Sequence, residues 1–368
     1  SYTEQTISDV KRVHNFSAGP ARLPLDVLLK AQEELPNYHG KGASIMEMSH
    51  RSPEYSEIDR QAKKRLKDIL GIGDDYTVLF LQGGASSQFM MVPFNYLGSG
   101  KTADYLNTGS WTKKAIKEAK LFGDIRIPFT SEEDNFTHVP QNRDLNLSDE
   151  AEYLYFCSNN TIFGTQYPAE PEAGNIPLVC DASSDFLSRP IDIEKYGILF
   201  AGAQKNVGPA GVTVVILRND FLDKAQKENV PTILSYHTHA AKIFNTPPVY
   251  AVYMMNLVLE WIQEKGGLSY FADFNQKKAE KLYSEIDKDD FYRGTAQKES
   301  RSNMNVTFRL ANEELEKQFI SEAAENDIVA IKGHRSVGGI RASIYNACPM
   351  ESVDALVAFM QQFRDKNG

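Results

Sequence analysis

The chain has 368 residues, 42% of them hydrophobic and 24% charged, with 49 acidic against 40 basic side chains and a formal charge of −9. That length suits about two domains and holds enough apolar material for a sizeable core. The acidic balance argues against a nucleic-acid protein, because phosphate-backbone binding needs clustered Lys and Arg, so any anion site has to be local.

The first residues, SYTEQTISDVKR, are polar, and nowhere does an apolar run approach the roughly 18 residues of a membrane-spanning helix. From about residue 76, short β-branched and aromatic runs alternate with amphipathic stretches. YTVLFLQ (76–82), ADYLN (103–107), DIRIPF (124–129), EYLYFCS (152–158), PLVCD (177–181), ILFAG (198–202) and GVTVVILR (211–218) predict strands. Several are apolar on both faces, the mark of strands buried in a mostly parallel sheet between helices, so the expected fold class is α/β. SWTKKAIKEAKLFG (110–123) predicts a surface helix opened by a capping Ser110, with Trp111, Ala115, Ala119 and Phe122 on its buried stripe.

VYAVYMMNLVLEWIQEKGG (249–267) predicts a longer helix ended by Gly266 and Gly267, after which composition shifts to charged helices such as FNQKKAEKLYSEID. The expected division is a large domain at 16–266 and a smaller α+β domain at 267–368, joined by the N-terminal arm 1–15. The smaller domain holds MNVTFRL (304–310), a helix near 312–325, IVAIKG (328–333) and a last helix near 351–364. Cys157, Cys180 and Cys348 are odd in number, far apart and outside any C-x-x-C pair. They predict neither a disulfide framework nor a zinc site, and they fit a reducing cytoplasm.

Within YGILFAGAQKNVGPAG (196–211), an apolar run climbs to Lys205. Such a lysine ordinarily snorkels to solvent. A desolvated amine would instead favour its neutral, nucleophilic form and serve a cofactor aldehyde. Pyridoxal phosphate then asks for an acid at its ring nitrogen, a cradle for its phosphate and a flat wall against its ring. Asp181 ends the apolar run PLVC, at a strand tip where α/β sheets place ligand chemistry, although an Asx-turn in ASSD is an equal reading of that residue alone. Gly83 and Gly84 of GGASSQFMMVPF allow close backbone approach, and the helix after them offers free N–H groups to an anion. Trp111, at a helix start, reads as packing or as a wall. SHRS (49–52) and GHRSVGGIR (333–341) concentrate cations in an acidic chain. GSGKT (98–102) is a poor P-loop, since Asn95 stands where its first glycine belongs, and HTH (237–239) offers two histidines without a third metal ligand.

These stretches, with FSAGPARLP, SIMEMSHRSPE, NNTIFGTQ, DASSDFLSRPID, IFNTPP and KGHRSVGGIRASIYNA, resemble the phosphoserine aminotransferases, fold-type-I pyridoxal phosphate enzymes, over roughly residues 15–350. The resemblance implies a large domain with a mostly parallel seven-stranded sheet and a smaller α+β C-terminal domain. It makes Lys205 the catalytic lysine that joins pyridoxal 5′-phosphate, with Asp181 at the ring nitrogen, Trp111 stacked on the ring and Thr161 beside the phenolic oxygen. The implied phosphate cradle is Gly84, Ala85 and Gln204, completed by Asn245 and Thr246 of a second subunit, so that a homodimer shares its active sites. Some relatives carry arginine where this chain has Ala85. Arg341 would take the substrate α-carboxylate in a bidentate fork, and His50, Arg51, His334 and Arg335 the distal anion.

The implied reaction carries the amino group of L-glutamate to 3-phosphohydroxypyruvate, giving O-phospho-L-serine and 2-oxoglutarate in L-serine biosynthesis. Some members of that family also act on 3-hydroxy-2-oxo-4-phosphonooxybutanoate in pyridoxal phosphate synthesis. No metal, membrane or nucleic-acid partner is expected. The alternative is another class V enzyme such as a cysteine desulfurase, for which Cys348 would have to be the nucleophile.

Overall fold

Seven strands form the central sheet of the computed structural model, which describes residues 10–368. They are β1 (Tyr76–Leu81), β2 (Thr102–Asn107), β3 (Asp124–Thr130), β4 (Leu154–Cys157), β5 (Leu178–Asp181), β6 (Tyr196–Gly202) and β7 (Thr213–Arg218). Their order is β1-β7-β6-β5-β4-β2-β3. Neighbours from β6 through β3 run parallel, while β7 is antiparallel to both β1 and β6. The α/β expectation stands, and all seven expected strands lie in this one sheet.

Burial follows from the position of each strand. β4, β5 and β6 are buried along their whole length, as apolar runs without alternation require when both faces are covered. Alternate side chains feed two cores: Val78 and Phe80 of β1 pack in one, Leu79 and Leu81 in the other. β3 is one of the two edge strands and exposes Asp124, Arg126, Ile127 and Thr130. Its Pro128, which has no N–H to donate, is tolerated there.

The helix expected from Ser110 spans Ser110–Ala119, with Ala115 and Ala119 buried. Ser110 is its first residue rather than its cap. No side chain caps the helix; Thr112 Oγ1 instead accepts from the N–H groups just before it, Thr108 N at 3.1 Å and Gly109 N at 3.0 Å, and so fixes the entering chain. Phe122 lies past the helix end and still packs on the same core. The long helix Val249–Lys265 stops at Gly266, whose φ of +122° L-residues rarely adopt, and the helix Gly267–Ile286 starts directly after it.

A second, three-stranded antiparallel sheet joins Arg293–Gly294, Asn305–Arg309 and Ile340–Ser343. Helices Gly267–Ile286, Glu313–Glu325 and Met350–Asn367 supply side chains to a third core, with Tyr292, Phe308, Phe319 and Met360 at its centre. IVAIKG contributes only the strand Ile328–Val329, because Ala330 turns the backbone to φ +62°. That short strand pairs in parallel with His14–Asn15, and Phe16 inserts into the third core. Residues 1–9 of the arm lie outside the described residues.

Candidate active site

β5 and β6 end side by side, with Asp181 opposite Phe200 in the register. Asp181 therefore emerges at a strand tip, and three residues after Gly202 the chain presents Lys205. The Asp181 side chain is buried, and its Oδ1 accepts from Ser183 N at 3.0 Å and Ser183 Oγ at 2.7 Å. Oδ2 takes no hydrogen bond among the described residues. The Asx-turn and the ligand carboxylate are thus compatible: the turn fixes one oxygen and leaves the other free. Burial pushes the Asp181 pKa up, against the two Ser183 bonds and the charge of Lys205.

Lys205 Nζ donates to Thr161 Oγ1 at 2.8 Å. Burial pulls its pKa down to about 8, against the attraction of Asp181, so the amine sits near neutrality. Thr161 itself is held in a tight hairpin between the strands Asn159–Asn160 and Thr165–Gln166. Gly164 closes that hairpin at φ +70°, where a Cβ would lie 2.3 Å from Thr307 Oγ1. The Thr161 carbonyl accepts from an Arg341 guanidinium nitrogen at 3.3 Å. One buried threonine therefore stands between the amine and the arginine, its hydroxyl on one and its carbonyl on the other. Arg341, from the strand Ile340–Ser343, has no carboxylate partner among the described residues.

The cradle features are also present. Gly83 and Gly84 adopt φ +95° and +67°, and a Cβ at Gly83 would lie 2.0 Å from Ser87 Oγ. The helix Gly84–Tyr96 begins with no side-chain cap, which leaves its first N–H groups, including that of Ala85, for an anion. Gln204 folds against the strand end because Gly202 has no side chain; a Cβ there would lie 2.6 Å from Gln204 Oε1. Trp111 packs at the start of its helix with Nε1 buried and unpartnered, and Lys114 Nζ sits 4.5 Å from its ring centroid. An amine, an acid with one free oxygen and an uncapped helix end are groups that fit pyridoxal phosphate.

Burial lowers the His334 pKa, and the charges of Arg341, Arg335 and Lys114 lower it further, so these cations share one neighbourhood. Arg341, Ser110, Gly333 and Ser336 line a cavity of about 690 Å³. The remaining expected residues stand elsewhere. His50 and Arg51 precede the helix Pro53–Leu70. Asn245 lines a small cavity with Tyr55 and Lys63, and Gln82 Nε2 donates to the Thr246 carbonyl. None of these four bonds to Lys205, Asp181 or Arg341 among the described residues.

Sequence reasoning missed several residues around the site. Gly19, in FSAGP, has φ +154°, and a Cβ there would lie 3.2 Å from Lys205 Cγ and 3.4 Å from Cε. A buried amide network also escaped it: Asn159 Nδ2 donates to Ser184 Oγ and Asn305 Oδ1, each at 2.7 Å, and Asn305 Nδ2 donates to Ser343 Oγ at 2.8 Å. Only the run of small residues before Pro20 signalled Gly19, and nothing in local periodicity signals the network.

The motifs set aside take up local structure. GSGKT forms the turn into β2. The His237 and His239 rings face the carbonyls of Ala225 and Ile233, and no metal-ligating cluster exists among the described residues. Cys348 is buried, with its thiol pushed up by that burial, the opposite of what a nucleophile needs.

The chain matches the aminotransferase class-V family over residues 13–356. It is 54% identical over 358 residues to the phosphoserine aminotransferase of Desulfotalea psychrophila, covering 97% of this chain and 99% of that one. To the phosphoserine aminotransferase of Herpetosiphon aurantiacus it is 51% identical over 359 residues, again covering 97% and 99%. Among solved structures, it resembles phosphoserine aminotransferase from Bacillus circulans subsp. alkalophilus with a TM-score of 0.94 at 51% identity, covering 97% of this chain and 99% of that one. It resembles the PLP-bound phosphoserine aminotransferase of Trichomonas vaginalis with a TM-score of 0.89 at 39% identity, covering 95% and 100%.

Proposed function

The chain belongs to the class-V aminotransferases, and from that premise we propose that it transfers the amino group of L-glutamate to 3-phosphohydroxypyruvate, yielding O-phospho-L-serine and 2-oxoglutarate in L-serine biosynthesis. It is a pyridoxal-phosphate-dependent aminotransferase of fold type I. The observation that carries the reading is Thr161, which holds Lys205 Nζ at 2.8 Å and Arg341 at 3.3 Å. When bound, pyridoxal phosphate supplies the electron sink for deprotonation at the substrate α-carbon.

The chain's own groups do the rest. Lys205 Nζ, near neutrality, takes the α-proton, holds it and gives it up again, with Thr161 Oγ1 aiming it. The free Oδ2 of Asp181 is the partner for a ring N–H, and a cation there would hold the carboxylate ionised against its burial. Backbone N–H groups of Gly84 and Ala85, with the Gln204 side chain, take the phosphate; Ser86 and Ser87 stand by for the charge that Ala85 lacks. Trp111 forms the wall. Arg341 binds the α-carboxylate, and His334 with Arg335 meets the distal anion, the glutamate side chain in one half-reaction and the phosphate in the other.

His50, Arg51, Asn245 and Thr246 we assign to the site of a second copy in a homodimer. Exposed apolar side chains beside them, Met46, Ile243 and Phe244, support an interface there. The separate third core supports the expected division into 16–266 holding the cofactor and 267–368 plus the arm presenting Arg341, except that Phe16 packs in the third core and Phe271 in the first. Three free thiols support a cytoplasmic setting.

The test is spectroscopic. L-Glutamate added without acceptor should abolish the visible absorption of the bound cofactor, and 3-phosphohydroxypyruvate should restore it with formation of O-phospho-L-serine. A spectrum that glutamate leaves unchanged refutes the transaminase chemistry, and recovery with pyruvate but not with the phosphorylated acid refutes the substrate.

A further inference from the structure

Lys278 lies in the charged stretch FNQKKAEKLYSEID, yet its side chain is fully buried. Its Nζ donates to three backbone carbonyls of one turn: Ile344 at 3.0 Å, Tyr345 at 2.7 Å and Cys348 at 2.9 Å. The ring of Phe274 faces the same nitrogen at 4.3 Å. A buried ammonium is costly, and if it were removed the Ile344 and Cys348 carbonyls would lose their donor, while Tyr345 would keep the Cys348 N–H at 2.9 Å.

What that turn touches decides its meaning. Tyr345 donates its hydroxyl to the Ala18 carbonyl at 2.6 Å, and Ala18 precedes Gly19, the glycine that lies against the stem of Lys205. Asn346 N donates to Asn206 Oδ1 at 2.9 Å, and Asn206 follows Lys205 directly. The turn thus grips Lys205 from two sides, through Gly19 against its stem and through the next residue of its own loop. Arg341 is held differently, by strand pairing with Thr307.

We propose that Lys278 is a positioning residue: its ammonium locks the Ile344–Cys348 turn, and through Tyr345 and Asn346 that turn fixes Lys205 against Thr161. The inference rests on the functional reading above. Burial pulls the Lys278 pKa down to about 8, whereas three accepting carbonyls favour the protonated form that satisfies them all.

Loosening the turn should widen the pocket around Lys205 and admit water, while leaving Arg341 in place. In the Lys278→Met holoenzyme, kcat per bound cofactor should fall about tenfold or more with KM for glutamate changed less than about threefold. The pH midpoint of the cofactor's visible absorption should rise by about half a unit or more, because water restores the solvation that burial removed from the Lys205 nitrogen. Lys278→Gln, which keeps two donors, should recover part of both. A purely structural lysine would lower the melting temperature alone. The proposal is overturned if the folded variants keep the parent's kcat and midpoint. Should neither variant fold, Tyr345→Phe, which cuts the Ala18 tie without emptying the core, decides by the same two readouts. A parent enzyme whose spectrum ignores glutamate would instead sink the functional reading itself, so the two failures are distinguishable.

Discussion

Thr161→Val is the sharpest perturbation of the site. Valine copies the shape of a buried threonine and leaves its backbone carbonyl on Arg341, so only the hydroxyl that accepts from Lys205 at 2.8 Å is lost. A hydrogen bond involving a charged or partly charged group contributes about 1.5–3 kcal/mol. At about 1.4 kcal/mol per tenfold, the proton-transfer step should slow by about 10- to 100-fold. Because Arg341 keeps its tie, binding of glutamate should barely change. Single-turnover measurement of the glutamate half-reaction, followed by cofactor absorption over a range of glutamate concentrations, separates the two constants. A rate within twofold of the parent, or a loss confined to glutamate affinity, would refute the role given to the hydroxyl.

Asp181→Asn keeps an oxygen for Ser183 and removes the charge, so on the order of 1.5–3 kcal/mol of charge-assisted bonding should go, with turnover down at least tenfold and the cofactor lost more readily on dialysis; parent-like retention and turnover count against Oδ2 as its partner. Arg341→Lys gives up the planar fork and should raise KM for glutamate about tenfold or more, and equal kinetics would place the α-carboxylate elsewhere. Gly19→Ala forces a side chain into φ +154° and against the Lys205 stem, and a strain of about 1–3 kcal/mol should lower both melting temperature and kcat; an unaffected variant would free Lys205 from that wall. In cofactor-free protein, labelling of Lys205 by an amine-reactive reagent, read by mass spectrometry, should be half-maximal at about 8 rather than at the ordinary 10.5. The sign for stability follows: the unfolded chain binds more protons between those two values, so Lys205 destabilises fully below about 8 and is relieved as pH rises towards 10.5.

The fold was legible where one physical cause acts alone. β5 and β6 are buried on both faces, so their sequences lose all alternation, and the first charged residues at or after their ends, Asp181 and Lys205, mark the strand-end face. Where tertiary contacts compete with local pattern, the text misleads. IVAIKG has the composition of a full strand, but pairing with His14–Asn15 spans only two residues before Ala330 turns away. Ser110 is a capping residue type, but the helix starts on it after Gly109 and has no side-chain cap, while Thr112 inside the helix ties down the entering chain. Lys278 is the extreme case: KKAEK reads as solvated surface, and its burial depends on the packing of the helix Met350–Asn367 and the turn before it.

The same distinction runs through the site. Residues that need a particular backbone conformation, Gly83, Gly84 and Gly164, announce themselves by type, because an L side chain would be strained or obstructed there. Residues that need a particular partner do not. Asn159 and Asn305 are ordinary amides in the text, and their value lies in facing each other across about 146 residues of chain. Asp181 belongs to both kinds. Its position at a strand tip favours an Asx-turn, and that turn holds Oδ1 still while Oδ2 stays without a partner among the described residues. Local turn chemistry, helped by the Ser183 hydroxyl, thus fixes one oxygen of a buried carboxylate and leaves the other free, so the turn reading of that residue and the proposed ligand reading are compatible in one device.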